Sequence, residues 1–108
     1  MGSILTKGVF GTIPESIGNL ALLEDLRLEN NYITGGIPTS VGQLENLVTL
    51  RLDLNVVRYK IPASLGNLAR LSTLILSGNY MVGPLPDGLE NSENMTTLLT
   101  CTTTSSSG

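Results

Sequence analysis

LALLEDLRLENNYITGGIPTSVG, residues 20–42, decides how this chain of 108 residues folds. Leucines at 20, 23, 26 and 28 open the stretch, Asn31 follows, and Ile37-Pro38 leads on to Val41-Gly42. At a step of 24 the same letters return. Leu44, Leu47, Leu50 and Leu52 repeat the leucines, and Leu68, Leu71, Leu74 and Leu76 repeat them again. Asn31, Asn55 and Asn79 keep the step, as do Ile13-Pro14, Ile37-Pro38, Ile61-Pro62 and Leu85-Pro86. Ile17, Val41, Leu65 and Leu89 each follow a proline by three, with Gly18, Gly42 and Gly66 next in line. One register is therefore expected from Ile4 to Leu99 with no insertion. A fixed period of this length is the mark of a solenoid. Leu20, Leu23 and Leu26 also suit a helix, but a proline and several glycines in every repeat exclude a continuous one.

The pattern L-x-x-L-x-x-L-x-L-x-x-N-x-L-x-G-x-I-P-x-x-L-G resembles the plant-type leucine-rich repeat, with Ile33 and Val41 as conservative variants. The resemblance implies an α/β-type repeat solenoid. This would be a right-handed coil with a parallel β-sheet on its concave face, about four 24-residue repeats and poorly capped ends. It also implies extracellular or cell-surface recognition of a protein or peptide, as in receptor-like kinase ectodomains and polygalacturonase inhibitors. Full-length members carry paired cysteines at their ends. This chain has one cysteine, Cys101, so it is read as a fragment of a larger protein. The repeat domain is expected over 1–101, its last repeat degenerate, with a polar disordered tail over 102–108.

Each repeat must turn once and return beside itself. Leu26 and Leu28 are two apart and share one side of a strand. Leu20, Leu23, Ile33, Ile37 and Val41 are expected to point inward from the rest of the turn. One repeat buries too little to fold alone, so neighbours must stack. A tight turn off a strand buries main-chain polar groups, and a side-chain amide both donates and accepts. Asn31, Asn55 and Asn79 are therefore expected to form a structural ladder. Gly35 and Gly83 fit a main chain at positive φ. Prolines 14, 38, 62 and 86, lacking an N–H, mark the convex side. Tyr59, between Arg58 and Lys60, stands where Gly35 and Gly83 stand and is expected to form a basic, aromatic bump there.

Composition excludes several classes of function. Six Lys+Arg against nine Asp+Glu give a net charge of -3, without the excess of basic charge that nucleic acid or an anionic membrane would call for. With no histidine and one cysteine, a cysteine-ligated zinc site and a Ser-His triad lack their residues. No apolar run approaches the roughly 20 residues of a membrane span, and Met1–Lys7 lacks the long apolar core of a secretory signal. No phosphate loop, acid–base pair in a pocket, metal site or cofactor is expected, and catalytic residues are none. Met1-Gly2 with Thr6 meets a loose myristoylation pattern. Asn94-Met95-Thr96 is a candidate glycosylation sequon.

Function is left to the concave face. Residues between the inward leucines form columns across strands about 4.8 Å apart. One column reads Asp25, Thr49, Thr73, Thr97; the next Arg27, Arg51, Ile75, Leu99; the third Glu29, Asp53, Ser77, Cys101. All are expected to face solvent, with diagonal Arg51–Glu29 or Arg27–Asp53 pairs offsetting the stacked arginines. The leading expectation is a non-catalytic protein- or peptide-binding module, in which Arg27→Ala with Arg51→Ala abolishes binding and leaves the fold intact. The alternatives are a structural spacer or remnant without a ligand of its own, and ice or surface binding through the threonine column.

Overall fold

The computed structural model describes residues 3–5, 8, 10–82, 89 and 96–99. Nine three-residue strands are among them: β1 Ser3–Leu5, β2 Phe10–Thr12, β3 Asp25–Arg27, β4 Tyr32–Thr34, β5 Thr49–Arg51, β6 Arg58–Lys60, β7 Thr73–Ile75, β8 Tyr80–Val82 and β9 Thr97–Leu99. The odd-numbered strands form one parallel sheet in the order β1-β3-β5-β7-β9. Leu26, Leu50 and Leu74 lie directly opposite one another across it. The even-numbered strands pair beside it, β2 with β4 and β6 with β8.

The leucine columns close over one continuous core. Leu26, Leu50 and Leu74 have no exposed surface, nor do Leu44, Leu47, Leu52, Leu71 and Leu76. Strands β3, β5 and β7 contribute Leu26, Leu50 and Leu74 to the same interior, and β4 and β8 contribute Ile33 and Met81, so successive turns cover one another, while β2 and β6 are exposed throughout. Leu20 departs from the expectation. It is 44% exposed, whereas Leu44 and Leu68 at the same position are buried. Leu44 is enclosed by turns on both sides, while no described turn covers the outer side of Leu20.

The convex side carries 3₁₀ helices at Glu15–Asn19, Thr39–Gln43 and Ala63–Asn67. Each begins after a proline and ends at a leucine, Leu20, Leu44 or Leu68. Five residues are too few to nucleate a stable α-helix, and the tighter turn suits the short span. Successive helices touch closely. A Cβ on Gly18 would stand 2.6 Å from the Ser40 carbonyl oxygen, and one on Gly42 would stand 2.5 Å from Ser64 Cβ. Ser40 Oγ donates to the Glu15 carbonyl at 2.7 Å, and Ser64 Oγ to that of Thr39 at 2.8 Å. Ser40 and Ser64, each two residues before a glycine, thus tie one convex turn to the one before it. Ser16, Ser40 and Ser64 keep the step of 24, a signal the leucine pattern overshadowed.

One register does not span the whole chain. Strand β1 pairs with β3 at a separation of 22, Ile4 opposite Leu26, whereas β3, β5, β7 and β9 follow at 24. A step of 24 would put Gly2 opposite Leu26; the shift puts a β-branched apolar residue at that central position instead. Lys7, Gly83, Pro86, the Asn94 sequon, Cys101 and the tail lie outside the described residues.

The residue before each ladder asparagine is left-handed. Asn30, Leu54 and Gly78 have φ of 62°, 61° and 74°. Asparagine and glycine adopt this conformation readily; leucine pays about 1 kcal/mol for it. Replacing Leu54, which is 58% exposed, by asparagine should therefore raise stability by about 0.5–1 kcal/mol. A denaturation midpoint that falls would contradict this.

Candidate functional site

The asparagine turns hold the ends of the concave strands in place. Asn55 Nδ2 donates to Leu28 O at 2.9 Å, Leu52 O at 3.0 Å and Asp53 O at 3.3 Å, while its Oδ1 accepts from Ile33 N at 3.0 Å. Asn79 repeats the arrangement one turn on, donating to Leu52 O at 2.7 Å and accepting from Val57 N at 2.9 Å. Asn31 donates to Leu28 O at 2.8 Å. Asn55 and Asn79 thus each bind their own turn and the preceding one. The strand residues that face outward are carried on this fixed frame.

Charge on the concave face is concentrated at Arg51. Its Nε reaches Asp53 Oδ1 at 3.2 Å and one terminal nitrogen reaches Oδ2 at 3.0 Å. The other approaches Glu29 at 3.8 Å. The bidentate hydrogen bond with Asp53 pushes the Arg51 guanidinium above its ordinary value. Partial burial opposes that rise, and attraction to Asp53 and Glu29 adds to it. Glu29 Oε1 is buried with no hydrogen-bond partner among the described residues. Such an atom carries a desolvation cost.

Two of the residues expected to face solvent do not. Asp53 is 6% and Thr49 7% exposed. Asp53 is covered because Arg51 folds over it, and Thr49 because it sits between Asp25 on β3 and Thr73 on β7. The buried Thr49 also interrupts the column Asp25, Thr49, Thr73, Thr97, which presents no continuous threonine surface. Of the two expected diagonals, Arg51–Glu29 forms and Arg27–Asp53 does not: Arg27 instead meets Asp25 on its own strand at 4.0 Å. Two residues apart, those side chains lie on the same side of β3. Arg51 and Arg27 therefore differ in kind, one locked by a buried acid and the other resting against an accessible one. Thr73, Ile75 and Ser77 are half-buried and continue the face beyond them. Among the described residues no group of acids, histidines or cysteines could hold a metal ion, and no helix is long and apolar enough to cross a membrane.

Residues 21–81 match the family model described as "Leucine rich repeat". No curated protein matches the chain. Solved structures do. The chain is 33% identical to a chain of the PEPR1–AtPEP1 crystal structure, with a TM-score of 0.89, covering 93% of this chain and 14% of that one. It is 34% identical to the leucine-rich repeat ectodomain of the Arabidopsis thaliana membrane receptor kinase GASSHO1/SCHENGEN3, solved with CASPARIAN STRIP INTEGRITY FACTOR 2. There the TM-score is 0.85, with 90% of this chain and 12% of that one covered. It is 30% identical to a chain of the Arabidopsis thaliana BIR3–SERK2 complex, at a TM-score of 0.79, covering 93% and 56%. The chain thus spans between 12% and 56% of the solved chains it resembles.

Proposed function

This chain belongs to the leucine-rich repeat family, and from that premise we propose that its concave face binds an extended peptide or protein segment and catalyses nothing. The observation that carries the reading is the inequality of the two arginines. Arg51 is taken up by Asp53 and Glu29, while Arg27 is about two-fifths exposed and held by one ion pair at 4.0 Å. Exposed pairs at that distance contribute little, so a ligand's anionic group can exchange with Asp25 at small cost. Ile75, two strands away on the same outward row, offers an apolar contact to the rest of the ligand. Solved neighbours support this reading, among them the peptide hormone receptor RGFR1 with RGF2, the receptor kinase HAESA with the peptide hormone IDA and the co-receptor SERK1, and the BIR3–SERK2 complex. On the same support we propose that this chain acts at the cell surface.

Selection from a library of random peptides displayed on phage tests it. Peptides enriched on the wild-type chain should be acidic and lose about tenfold in affinity on Arg27→Ala. Enriched peptides that bind Arg27→Ala and Arg27→Glu as well as wild type would refute the assignment. Arg51→Ala is expected to act on stability instead, costing about 2 kcal/mol because Asp53 is left buried without its partner. Removing both arginines together would confuse the two effects.

A further inference from the structure

All four aromatic residues of the chain, one Phe and three Tyr, stand on the even-numbered strands, and all are between 64% and 79% exposed. Phe10 lies opposite Tyr32, Arg58 opposite Tyr80, and Tyr59 opposite Met81. The two pairs of strands make one surface, because Val56 N donates to Ile33 O and Arg58 N to Gly35 O, both at 2.8 Å. Tyr59 takes φ of 72°, close to the 77° of Gly35, so its ring is presented at some cost in main-chain strain. Arg58 and Lys60 are exposed beside it, and these strands carry no acidic residue. This surface follows the concave strands in the chain, on the side where they end.

The opposite flank, where those strands begin, has the complementary character. Leu22 is 72% exposed, Leu20 is 44% exposed, and Glu24 and Glu45 stand exposed near them, while the exposed Arg70, one turn on, is engaged by Asn46 at 3.0 Å. Among the described residues, none of Glu24, Glu45, Arg58 and Lys60 enters a salt bridge. One molecule therefore carries an aromatic, basic flank and, on the opposite side, an aliphatic flank that is acidic over the turns of Glu24 and Glu45 and carries Arg70 one turn further on. Exposed apolar surface rimmed by charge marks an interaction site, and here its complement is on the same chain.

We propose that the occupant of the aromatic flank is the acidic flank of a second copy of this chain, in a head-to-tail side-by-side contact. Leu22 packs against Tyr59 and Tyr80, and Glu24 and Glu45 meet Arg58 and Lys60. Because the two patches differ, the contact is heterologous and extends beyond a dimer unless it closes into a ring. It leaves the concave face open, so it is independent of peptide binding.

Sedimentation velocity of the whole chain tests this with a charge swap. Wild type should sediment faster as concentration rises, and added salt should reverse the effect. Arg58→Glu with Lys60→Glu, and separately Glu24→Lys with Glu45→Lys, should each weaken association at least ~tenfold, while an equal mixture of the two variants regains it. Lys60→Gln and Glu24→Gln, expected to weaken it severalfold, probe the same contact should the reversals lower stability. Wild type that stays monomeric at every concentration would overturn the proposal. So would variants that associate undiminished, or a mixture that does not assemble.

Discussion

Asn55→Ala is expected to lower stability by about 3 kcal/mol, a fall in melting temperature on the order of 15 °C. The side chain is buried, and its amide serves three carbonyls and one N–H drawn from two turns. Alanine leaves Ile33 N–H buried without its acceptor and takes one donor each from Leu28 O, Leu52 O and Asp53 O, which keep Asn31, Asn79 and Asn30 N respectively. Asn55→Asp separates this account from simple loss of volume. At neutral pH a carboxylate would face the carbonyl oxygens of Leu28, Leu52 and Asp53, so the loss should exceed that of alanine. Repulsion there raises the carboxyl's folded pKa above its unfolded value, so the deficit grows as pH rises and shrinks as protonation restores a donor. A melting curve for Asn55→Ala within about 0.5 kcal/mol of wild type would remove the asparagine from the frame.

Gly42→Ala should cost a comparable amount by a different route. The added methyl would stand 2.5 Å from Ser64 Cβ and 2.7 Å from the Ser64 carbonyl oxygen. One of these is main chain, and the hydroxyl of Ser64 is committed to Thr39 O, so neither yields without moving a turn. Overpacking of this kind costs about 1–3 kcal/mol. Ser64→Gly in the same chain should recover part of it by clearing the Cβ contact while leaving the carbonyl contact. A Gly42→Ala chain that melts with wild type would mean the convex turns are not in firm contact.

Much of this was legible in the letters because a solenoid repeats its physics. Leucines at a step of 24 had to share an interior, and all but Leu20 do. Tyr59 was legible by position, standing where glycine recurs, and its φ of 72° follows. Leu54 could have been found the same way, between Asn30 and Gly78, but an exposed leucine hides among so many buried ones. The burial of Asp53 was not legible, since it depends on Arg51 reaching sideways on its own strand instead of out to solvent. Strand alternation tells which way a residue points and not what folds over it. The first repeat was misread because the Ile13-Pro14 pair keeps step with Ile37-Pro38 while the strand before it pairs at 22.

Two spacings govern the coil, and they are set by unrelated contacts. Strand hydrogen bonds fix the distance between turns on the inner side, and the meeting of glycine with serine fixes it on the outer side. A wedge at the glycine spreads the outer side alone, so bending must tighten. Arcs of different radius lie one substitution per repeat apart, with no change to the interior or to the outward residues of the concave strands.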